Sequence, residues 1–361
     1  MTSDSLHATD QRRLCMANAY CIGFGGIGVR ELVVHIGLHK TGSGSIQHAL
    51  NGAHSSLREQ GVYVPVTSTM GHTKAHHNIA WELNDDRRFR PQRGTLKDLH
   101  AELSSVSEPI VVLSSEGFSK YRPGKKDMRA KSARLRQLAE SLSRRLVIVA
   151  FVRDYASALN SAYTQQVKTF GHAMSFAEYL VREELSSRWL YGNVLAEWEA
   201  VANRMVVRPF GGDVVVTFFG MLGIVPQADG YERVNEGFGP RAIEACRVLY
   251  RHYSLASPKG LRKGGPTRLI RQVADGRGWN ATPFWGFLPE QAVAAHLALE
   301  KRDAAFLGRH EIEFAQRFRT REYNEQTLEQ MEGDARREFM EGLAEIVVTS
   351  KVTFDEDEVE E

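Results

Sequence analysis

The sequence is poor in cysteine and has no long apolar run. Its three cysteines, Cys15, Cys21 and Cys246, lack the spacing of a metal site or a disulfide framework, so a reduced, cytoplasmic compartment is the simplest interpretation. No apolar run reaches the roughly 18 residues that a membrane helix needs, so no membrane span is expected. Ordinary charged (25%) and aromatic (9%) fractions exclude collagen-like, coiled-coil and disordered chains.

Charge is nearly balanced over the 361 residues but is unevenly spread. Six acids lie in the last seven residues, so residues 1–354 carry a formal net charge of +8 against +2 for the whole chain. A basic body suits an anionic ligand. We divide the chain into an N-terminal extension (1–30), one domain (31–350) and an acidic tail (351–361). The extension is interpreted as disordered rather than as a signal peptide, because glycines break its apolar run.

Strand-like and helical patterns alternate from residue 31 onwards. Short β-branched runs predict strands, and amphipathic runs predict helices. The predicted strands are 32–36, 62–64, 110–114, 146–152 and 205–210; the predicted helices include 128–145, 155–168 and one that Asp213 caps and that ends at Gly223. Such alternation indicates a parallel sheet covered on both faces. We predict a P-loop-NTPase-like three-layer α/β fold, with a helical C-terminal region after about residue 225.

The strongest functional feature is a glycine- and hydroxyl-rich loop between the first predicted strand and its helix. Its residues are Lys40, Thr41, Gly42, Ser43, Gly44 and Ser45. Such a loop directs backbone N–H groups and the helix N-terminus at one point, while lysine and hydroxyls add donors. The pattern predicts a cradle for a phosphate-type group. It is not a Walker A motif, because Lys40 precedes the last glycine and the magnesium-binding hydroxyl has no counterpart in register.

A second feature follows the strand 146–152. Arg153 stands at its carboxyl end, where α/β proteins bind ligands, and Ser161 lies two turns along the next helix. Arg153 can form a bidentate pair with a phosphate, and Ser161 can donate a hydroxyl. The alternative is a structural arginine–aspartate pair and an ordinary helix serine.

Together these two features resemble the sulfotransferases that use 3'-phosphoadenosine 5'-phosphosulfate (PAPS), over roughly residues 31–225. In that family a Lys-Thr-Gly-Thr-Thr-like loop binds the 5'-phosphosulfate, and a later arginine and serine, eight residues apart, bind the 3'-phosphate. The matching residues here are Lys40-Thr41-Gly42-Ser43 and the Arg153/Ser161 pair. The resemblance thus implies a donor site formed by Lys40, Thr41, Gly42, Ser43, Gly44, Ser45, Arg153 and Ser161.

The resemblance implies transfer of a sulfuryl group from PAPS to a hydroxyl of a glycan or small molecule, without a metal. Lys40 would stabilise the leaving oxygen. Gly44 departs from the family pattern, because it stands where a second threonine is usual and removes one hydroxyl. Two alternatives stay open: an ATP- and magnesium-dependent phosphoryl transferase, and a nucleotide-binding protein without catalysis.

Three residues are candidates for the base that accepts the hydroxyl proton. Histidine is the commonest such group near neutral pH, and His77 and His76 follow the loop helix. Glu116 stands just past a predicted strand end and ranks equal to His77, ahead of His76. His72 and His76 also have the spacing of zinc ligands, but without an evident third ligand no metal site is predicted.

Basic and aromatic residues elsewhere give weaker signals. Residues 120–145 hold ten lysines and arginines. We interpret them as the solvated face of a helix in preference to a surface that binds an anionic glycan. A nucleic-acid ligand is not expected, because this basic stretch lacks the interspersed aromatic residues on which bases stack. Arg262-Lys263-Gly264-Gly265 faintly resembles a donor-binding segment of the family, and Trp189, Trp198, Trp279 and Trp285 are expected in the core. The oligomeric state is not predicted.

Overall fold

The computed structural model describes residues 28–38, 40–70, 75–119, 128–183, 186–224, 237–254 and 265–356. Most of the predicted extension and the last five residues of the acidic tail lie outside this part. The described chain forms two compact units. We name the part within Met1–Arg153, Ser187–Val234 and Leu299–Phe314 the sheet unit, and the part within Asp154–Ser186, Asn235–Ala298 and Ala315–Glu361 the helical unit.

The sheet unit contains five parallel strands in the order β2-β3-β1-β4-β5. Their bounds are β1 Glu31–Ile36, β2 Val62–Tyr63, β3 Ile110–Ser115, β4 Arg145–Val152 and β5 Arg204–Pro209. All five predicted strands are confirmed within two residues at each end. The three central strands are buried almost throughout, which explains why they read as continuous apolar runs rather than as alternating ones.

The register brings the carboxyl ends of the central strands together. Glu31 of β1 aligns with Ile110 of β3 and with Arg145 of β4, so Ile36 aligns with Ser115 and Ala150. Because parallel strands share one direction, the segments that follow β1, β3 and β4 emerge at one edge of the sheet. This edge carries the residues singled out above.

Helices cover both faces of this sheet. The helices of the sheet unit are α1 Ser43–Gly52, α2 His54–Glu59, α3 His77–Leu83, α4 Leu96–Ser104, α5 Met128–Ser141, α8 Tyr191–Glu199, α9 Val214–Met221 and α13 Ala304–Arg309. Helix α1 contacts α2 and α9 on one face, while α5 contacts α3 and α8 on the other. The fold is therefore α/β, with a five-stranded parallel sheet and, among the described residues, fourteen α-helices, as a three-layer architecture requires.

The core of the sheet unit lies chiefly between the sheet and the layer of α1 and α9. Val33, Val112 and Val149 project from three adjacent strands onto Ile46 of α1 and Phe218 of α9. Because strand side chains alternate between faces, His35 must project onto the same layer as Val33. It lies beside the rings of Phe151 and Phe218, at centroid distances of 6.0 and 5.2 Å.

Two helix ends show how the sequence sets the boundaries. Asp213 caps α9 as predicted, because its Oδ1 accepts hydrogen bonds from the N–H groups of Val215 and Val216, at 2.9 and 3.1 Å. Helix α5 ends at Ser141, four residues earlier than predicted. The cause is Ser143, whose φ of 53° ends the helical path before β4 begins at Arg145.

The helical unit contains α6 Tyr155–Lys168, α7 Phe176–Glu183, α10 Pro240–Ser254, α11 Gly265–Gly276 and α14 Gly333–Glu356; α12 Pro289–Arg302 spans the boundary between the units. Helix α6 matches its predicted range. The core is aromatic: Tyr163 contacts Phe176, Tyr179 and Phe284, at centroid distances of 5.1 to 5.3 Å. Since an aromatic side chain buries a large apolar area, a few such rings stabilise this unit without a sheet.

Among the described residues, five short 3-10 helices join these elements. They are Pro91–Arg93, Glu116–Ser119, Ser187–Trp189, Arg317–Thr320 and Leu328–Gln330. Of the helices that the structure describes, none has both the length and the apolar character needed to cross a bilayer.

Candidate functional site

The candidate site lies where the strand order reverses. From β1 the chain goes to β2 and β3 on one side of the sheet and then crosses to β4 and β5 on the other side. In open α/β sheets the crevice at such a reversal, outside the carboxyl ends of the strands, is where ligands bind. Here the crevice lies between the ends of β1 and β4, which lead into the Lys40 loop and Arg153.

The loop after β1 turns through two left-handed residues. Lys40 has a φ of 60° and Gly42 has a φ of 76°. Left-handed residues in a turn make successive backbone N–H groups point into one concavity, which is an anion-binding arrangement. No described side chain caps the N-terminus of α1, so its first N–H groups keep their hydrogen-bonding capacity.

Glycine is required at two positions of this loop because neighbouring side chains lie too close to the backbone to leave room for a Cβ. A Cβ at Gly42 would lie 2.6 Å from Cγ1 of Val214, and one at Gly37 would lie 2.2 Å from Oγ of Ser43. Real Cβ contacts are longer than 3 Å, so both positions exclude a side chain unless neighbours move. The loop therefore packs directly on α9 and on the first turn of α1.

The three hydroxyls of the loop differ in their surroundings. Thr41 is 1% exposed and its Oγ1 donates to the carbonyl of Leu38 at 2.9 Å, so this hydroxyl stabilises the turn. Ser43 is 4% exposed, and its Oγ has no hydrogen-bond partner among the described residues. Ser45 and Gly44 are half-buried in the first turn of α1. Ser43 is thus the hydroxyl that still needs a partner, which an anionic oxygen would supply.

Arg153 lies beside the loop. Its Nη1 donates to the carbonyl of Lys40 at 3.3 Å, and its guanidinium carbon lies 5.5 Å from the ring centroid of Phe210. Tyr191 of α8 holds the backbone of Arg153, because the tyrosine oxygen accepts from the Arg153 N–H and donates to its carbonyl. The Arg153 guanidinium thus contacts the backbone of the loop that carries Lys40.

The segment after β3 closes the other side of the loop. Gly37 donates its N–H to the carbonyl of Ser115 at 3.3 Å, and its own carbonyl accepts from Oγ of Ser119 at 2.7 Å. Glu116, which is exposed, begins the 3-10 helix between them, and its Cα would lie 3.2 Å from a Cβ at Gly37. Glu116 is therefore adjacent to the loop backbone.

His77 lies at the same strand end. Its Nδ1 and Oγ of Ser115 are 2.8 Å apart, and its ring stacks on Trp81. The hydrogen bond fixes the orientation of the ring through Nδ1. His77 and Glu116 thus both lie near the carboxyl end of β3, and their role as a base stays a prediction.

His76 does not have the surroundings of a base. It is fully buried; its Nε2 donates to the carbonyl of Pro65 at 3.0 Å and its Nδ1 accepts from the N–H of Ser114 at 3.1 Å. Burial lowers the pKa of His76 to about 4 and that of His35 to about 3. Both nitrogens of His76 are occupied by backbone groups, so its role is structural.

Ser161 lies on α6, in the helical unit, and Arg153 closes the sheet unit. Ser161 is half-buried, and its carbonyl accepts from Oγ1 of Thr164 at 2.9 Å. Asp154 caps α6 by accepting from the N–H of Ser157 at 2.8 Å. The pairing of Arg153 with Ser161 on one phosphate stays a prediction.

The basic stretch is only partly a solvated face. Arg134 pairs with Glu82, Arg136 pairs with Glu140, and Arg144 is buried with its guanidinium on the carbonyls of Val106, Glu108 and Pro109. Burial lowers the pKa of Arg144 to about 10. Lys120, Arg122, Lys125, Lys126, His72 and Arg262-Lys263-Gly264 lie outside the described residues. Trp198, Trp279 and Trp285 are buried as expected, while Trp189 is half-buried.

Sequence reasoning missed the residues that support the site. The contacts of Tyr191, Phe210 and Ser115 could not be predicted, because each joins residues that are distant in the chain. Among the described residues, no group of three or more histidines, cysteines or acids has the geometry of a metal site. Comparison with family models, with curated proteins and with solved structures returns no significant match.

Proposed function

We propose that the protein is a sulfotransferase that transfers a sulfuryl group from PAPS to a hydroxyl, which the resemblance suggests is on a carbohydrate. The observation that carries this proposal is the hydrogen bond from Arg153 to the carbonyl of Lys40. This bond joins the Arg153 guanidinium to the backbone of the loop that carries Lys40, which supports a single donor site at the sheet reversal. The same proposal makes the Lys40 loop a P-loop-like donor site.

The crevice suits a nucleotide with two anionic groups. The left-handed turn at Lys40 and Gly42 and the first turn of α1 offer backbone N–H groups, and Ser43 offers a buried hydroxyl. These donors match the oxygens of a phosphosulfate. Arg153 adds a guanidinium, which can bind a further phosphate in bidentate geometry and would favour PAPS over nucleotides without a 3'-phosphate.

The proposed reaction is an in-line displacement at sulfur. The acceptor oxygen forms a new bond to sulfur while the bond from sulfur to the 5'-phosphate oxygen breaks, leaving adenosine 3',5'-bisphosphate. Lys40 stabilises the negative charge that develops on this leaving oxygen. The acceptor proton passes to His77 or Glu116, both placed at the end of β3. Holding donor and acceptor in line supplies much of the rate.

Nucleotide binding tests the donor. We would titrate the full chain with adenosine 3',5'-bisphosphate, adenosine 5'-phosphate and ATP with magnesium, by calorimetry. The proposal requires the bisphosphate to bind most tightly, without magnesium. Arg153→Ala should weaken bisphosphate binding by at least about 30-fold and adenosine 5'-phosphate binding much less. Arg145→Ala is the matched control, because it removes the same charge from the opposite end of β4, where the side chain is exposed.

Turnover tests the catalytic assignment. With PAPS and a panel of sugars and small alcohols, Lys40→Ala should lower kcat about 10²–10³-fold. Glu116→Gln and His77→Gln should be compared under the same conditions, since the true base should lose about 10²–10⁴-fold in rate with nucleotide binding unchanged. His48→Gln, an exposed histidine of α1, is the control. Magnesium-dependent ATP binding that exceeds bisphosphate binding would instead favour a phosphoryl transferase, and tight binding of PAPS without any turnover would favour the non-catalytic alternative that Gly44 suggests.

A further inference from the structure

The backbone of Arg153 is held in place by a tyrosine side chain. The hydrogen-bond ladder between β4 and β5 reaches Val152, which aligns with Pro209, so Arg153 is the first residue beyond the ladder. At this position the hydroxyl of Tyr191 accepts a hydrogen bond from the N–H of Arg153 at 3.1 Å and donates one to its carbonyl. Tyr191 is 7% exposed. One buried hydroxyl thus binds both polar backbone groups of Arg153.

The guanidinium of Arg153 has contacts of its own. Its Nη1 donates to the carbonyl of Lys40 at 3.3 Å, and its central carbon lies 5.5 Å from the ring centroid of Phe210. An unrestrained arginine side chain loses many rotamers when it binds an anion, and this loss weakens binding. Because Arg153 is held both at its backbone and at its guanidinium, part of this loss has already occurred in the unliganded protein.

Tyr191 is in turn held by a buried carboxylate. Asp303 is 5% exposed; its Oδ2 accepts from the N–H of Tyr191 at 2.6 Å, and its Oδ1 accepts from the N–H of Gly192 at 3.0 Å. Asp303 stands at the N-cap of α13, yet among the described residues its side chain makes no capping hydrogen bond to that helix. The carboxylate interacts instead with the first turn of α8, whose partial positive charge stabilises it. Asp303 therefore fixes the end of α8 that carries Tyr191.

The contact between Asp303 and α8 depends on a glycine. A Cβ at Gly192 would lie 2.8 Å from Oδ1 of Asp303 and 3.0 Å from Cβ of Phe306. Glycine weakens a helix relative to alanine, so α8 would be more stable with alanine here if nothing lay close by. The glycine is explained by the close approach of Asp303 and α13, which lets the carboxylate reach the first turn of α8.

We infer that Tyr191 and Asp303 are positioning residues for Arg153: Asp303 orients Tyr191, and Tyr191 fixes Arg153 so that its guanidinium is ready to bind the 3'-phosphate of the donor. The contacts run from Asp303 through the first turn of α8 to the carboxyl end of β4, and all of them lie in the sheet unit. The identity of the ligand rests on the proposed function, whereas the positioning of Arg153 rests on these hydrogen bonds. Tyr191 and Asp303 act through Arg153 and need not touch the donor.

Removal of one hydroxyl tests the inference. Tyr191→Phe keeps the ring and removes both hydrogen bonds to the backbone of Arg153. By calorimetry on the full chain, its affinity for adenosine 3',5'-bisphosphate should fall about 3–10-fold, the effect expected when one arginine side chain regains its freedom. Its affinity for adenosine 5'-phosphate, which has no 3'-phosphate, should fall less than about twofold. A merely structural defect would weaken the binding of both nucleotides equally.

Two comparisons show whether the effect passes through Arg153. Tyr63→Phe is the matched control, because it removes a tyrosine hydroxyl that donates to Glu102 on the edge strand β2, two strands away from β4, and it should leave the ratio of the two affinities unchanged. Asp303→Ala should change this ratio in the same direction as Tyr191→Phe, because the first turn of α8 loses its acceptor. Asp303→Asn should restore part of the ratio, since its amide oxygen can still accept from the N–H of Tyr191.

Hydrogen exchange of the Arg153 amide, measured by NMR, tests the positioning without any ligand. This amide should exchange about fivefold faster in Tyr191→Phe than in the wild-type chain, because its acceptor is gone. If the wild-type chain does not prefer the bisphosphate to adenosine 5'-phosphate, the proposed function fails, and exchange alone decides the inference: faster exchange supports it and equal exchange overturns it. If the preference exists and Tyr191→Phe retains it in full, the inference fails while the proposed function stands.

Discussion

Gly37 lies so close to Ser43 that a side chain at position 37 should destabilise the protein. In Gly37→Ala the new Cβ would lie 2.2 Å from Oγ of Ser43, 2.8 Å from its Cβ and 3.2 Å from Cα of Glu116. Rotation of Ser43 about χ1 can remove the first contact. It cannot move the serine Cβ, so the loop must shift away from α1. Overpacking of this kind costs about 1–3 kcal/mol of unfolding free energy.

Removal of the opposing side chain should rescue the variant. Ser43→Gly eliminates both serine contacts and leaves the contact with Cα of Glu116, which a shift of a few tenths of an ångström relieves. In urea unfolding, the double variant should therefore lose less unfolding free energy than the two single variants lose together. The difference, the coupling energy, should be at least about 1 kcal/mol. Ser43→Gly itself carries a helix-propensity cost, which the cycle subtracts.

The assay also distinguishes a local effect from a general one. Gly220→Ala in α9 is the control, because nothing lies within 4 Å of its added Cβ, and it should stabilise the protein slightly. The proposed donor site predicts weaker nucleotide binding by Gly37→Ala, since the loop that would bind the anion moves. A loss below about 0.5 kcal/mol in Gly37→Ala, or no rescue by Ser43→Gly, would refute the packing described here.

Three more predictions concern stability. Asp213→Ala should lower the unfolding free energy, measured with urea, by about 0.5–2 kcal/mol, because two N–H groups of α9 lose their acceptor. Asp213→Asn should retain most of this stabilisation, because the asparagine oxygen can still accept from these groups. Because burial lowers the pKa of His35 and His76 from 6.5 to about 3 and 4, the unfolded state binds more protons below pH 6.5. Stability is then full above pH 6.5 and falls by up to about 2.7 kcal/mol per pH unit towards pH 4; a flat profile, or the same slope in His35→Gln, would contradict this. Arg247→Met should cost about 3–5 kcal/mol at pH 7, because it leaves the buried carboxylate of Glu244 without its partner at 2.7 Å, and Glu244→Gln in the same chain should recover part of the loss.

Strand and helix prediction succeeded where the local signal was strong. The run 146–152 is apolar throughout, and it forms the strand β4 that lies beside β1. Helix α5 was predicted four residues too long, because the sequence around Ser143 contains no glycine or proline to mark the left-handed residue that ends it. The division into two units could not be predicted, because it depends on contacts between segments far apart, such as Leu299–Phe314 with the sheet.

The site was predictable in its types of residue rather than in its contacts. The loop pattern indicated Lys40 and Ser43, but not that Ser43 is buried against Gly37 while Thr41 donates back to Leu38. The neighbouring histidines His72, His76 and His77 looked alike in sequence, and the last two were candidate bases. The fold separates the last two, because Ser114 and Ser115 alternate along β3 and bond to His76 and His77 respectively.

The loop at Lys40 and the first turns of α1 concentrate features that stability alone would not select. Lys40 adopts a left-handed conformation, which costs a residue other than glycine on the order of 1–2 kcal/mol. Ser43 and Gln47 bury polar atoms that lack partners in the described chain, and each such atom costs about 1–3 kcal/mol. A segment selected for stability alone would carry glycine at position 40 of the loop and apolar residues at positions 43 and 47 of the helix. Strained and unsatisfied groups within one short segment are typical of ligand sites, where the ligand supplies the missing interactions. The cost at Lys40 and Ser43 therefore supports the proposed anion site at the start of α1.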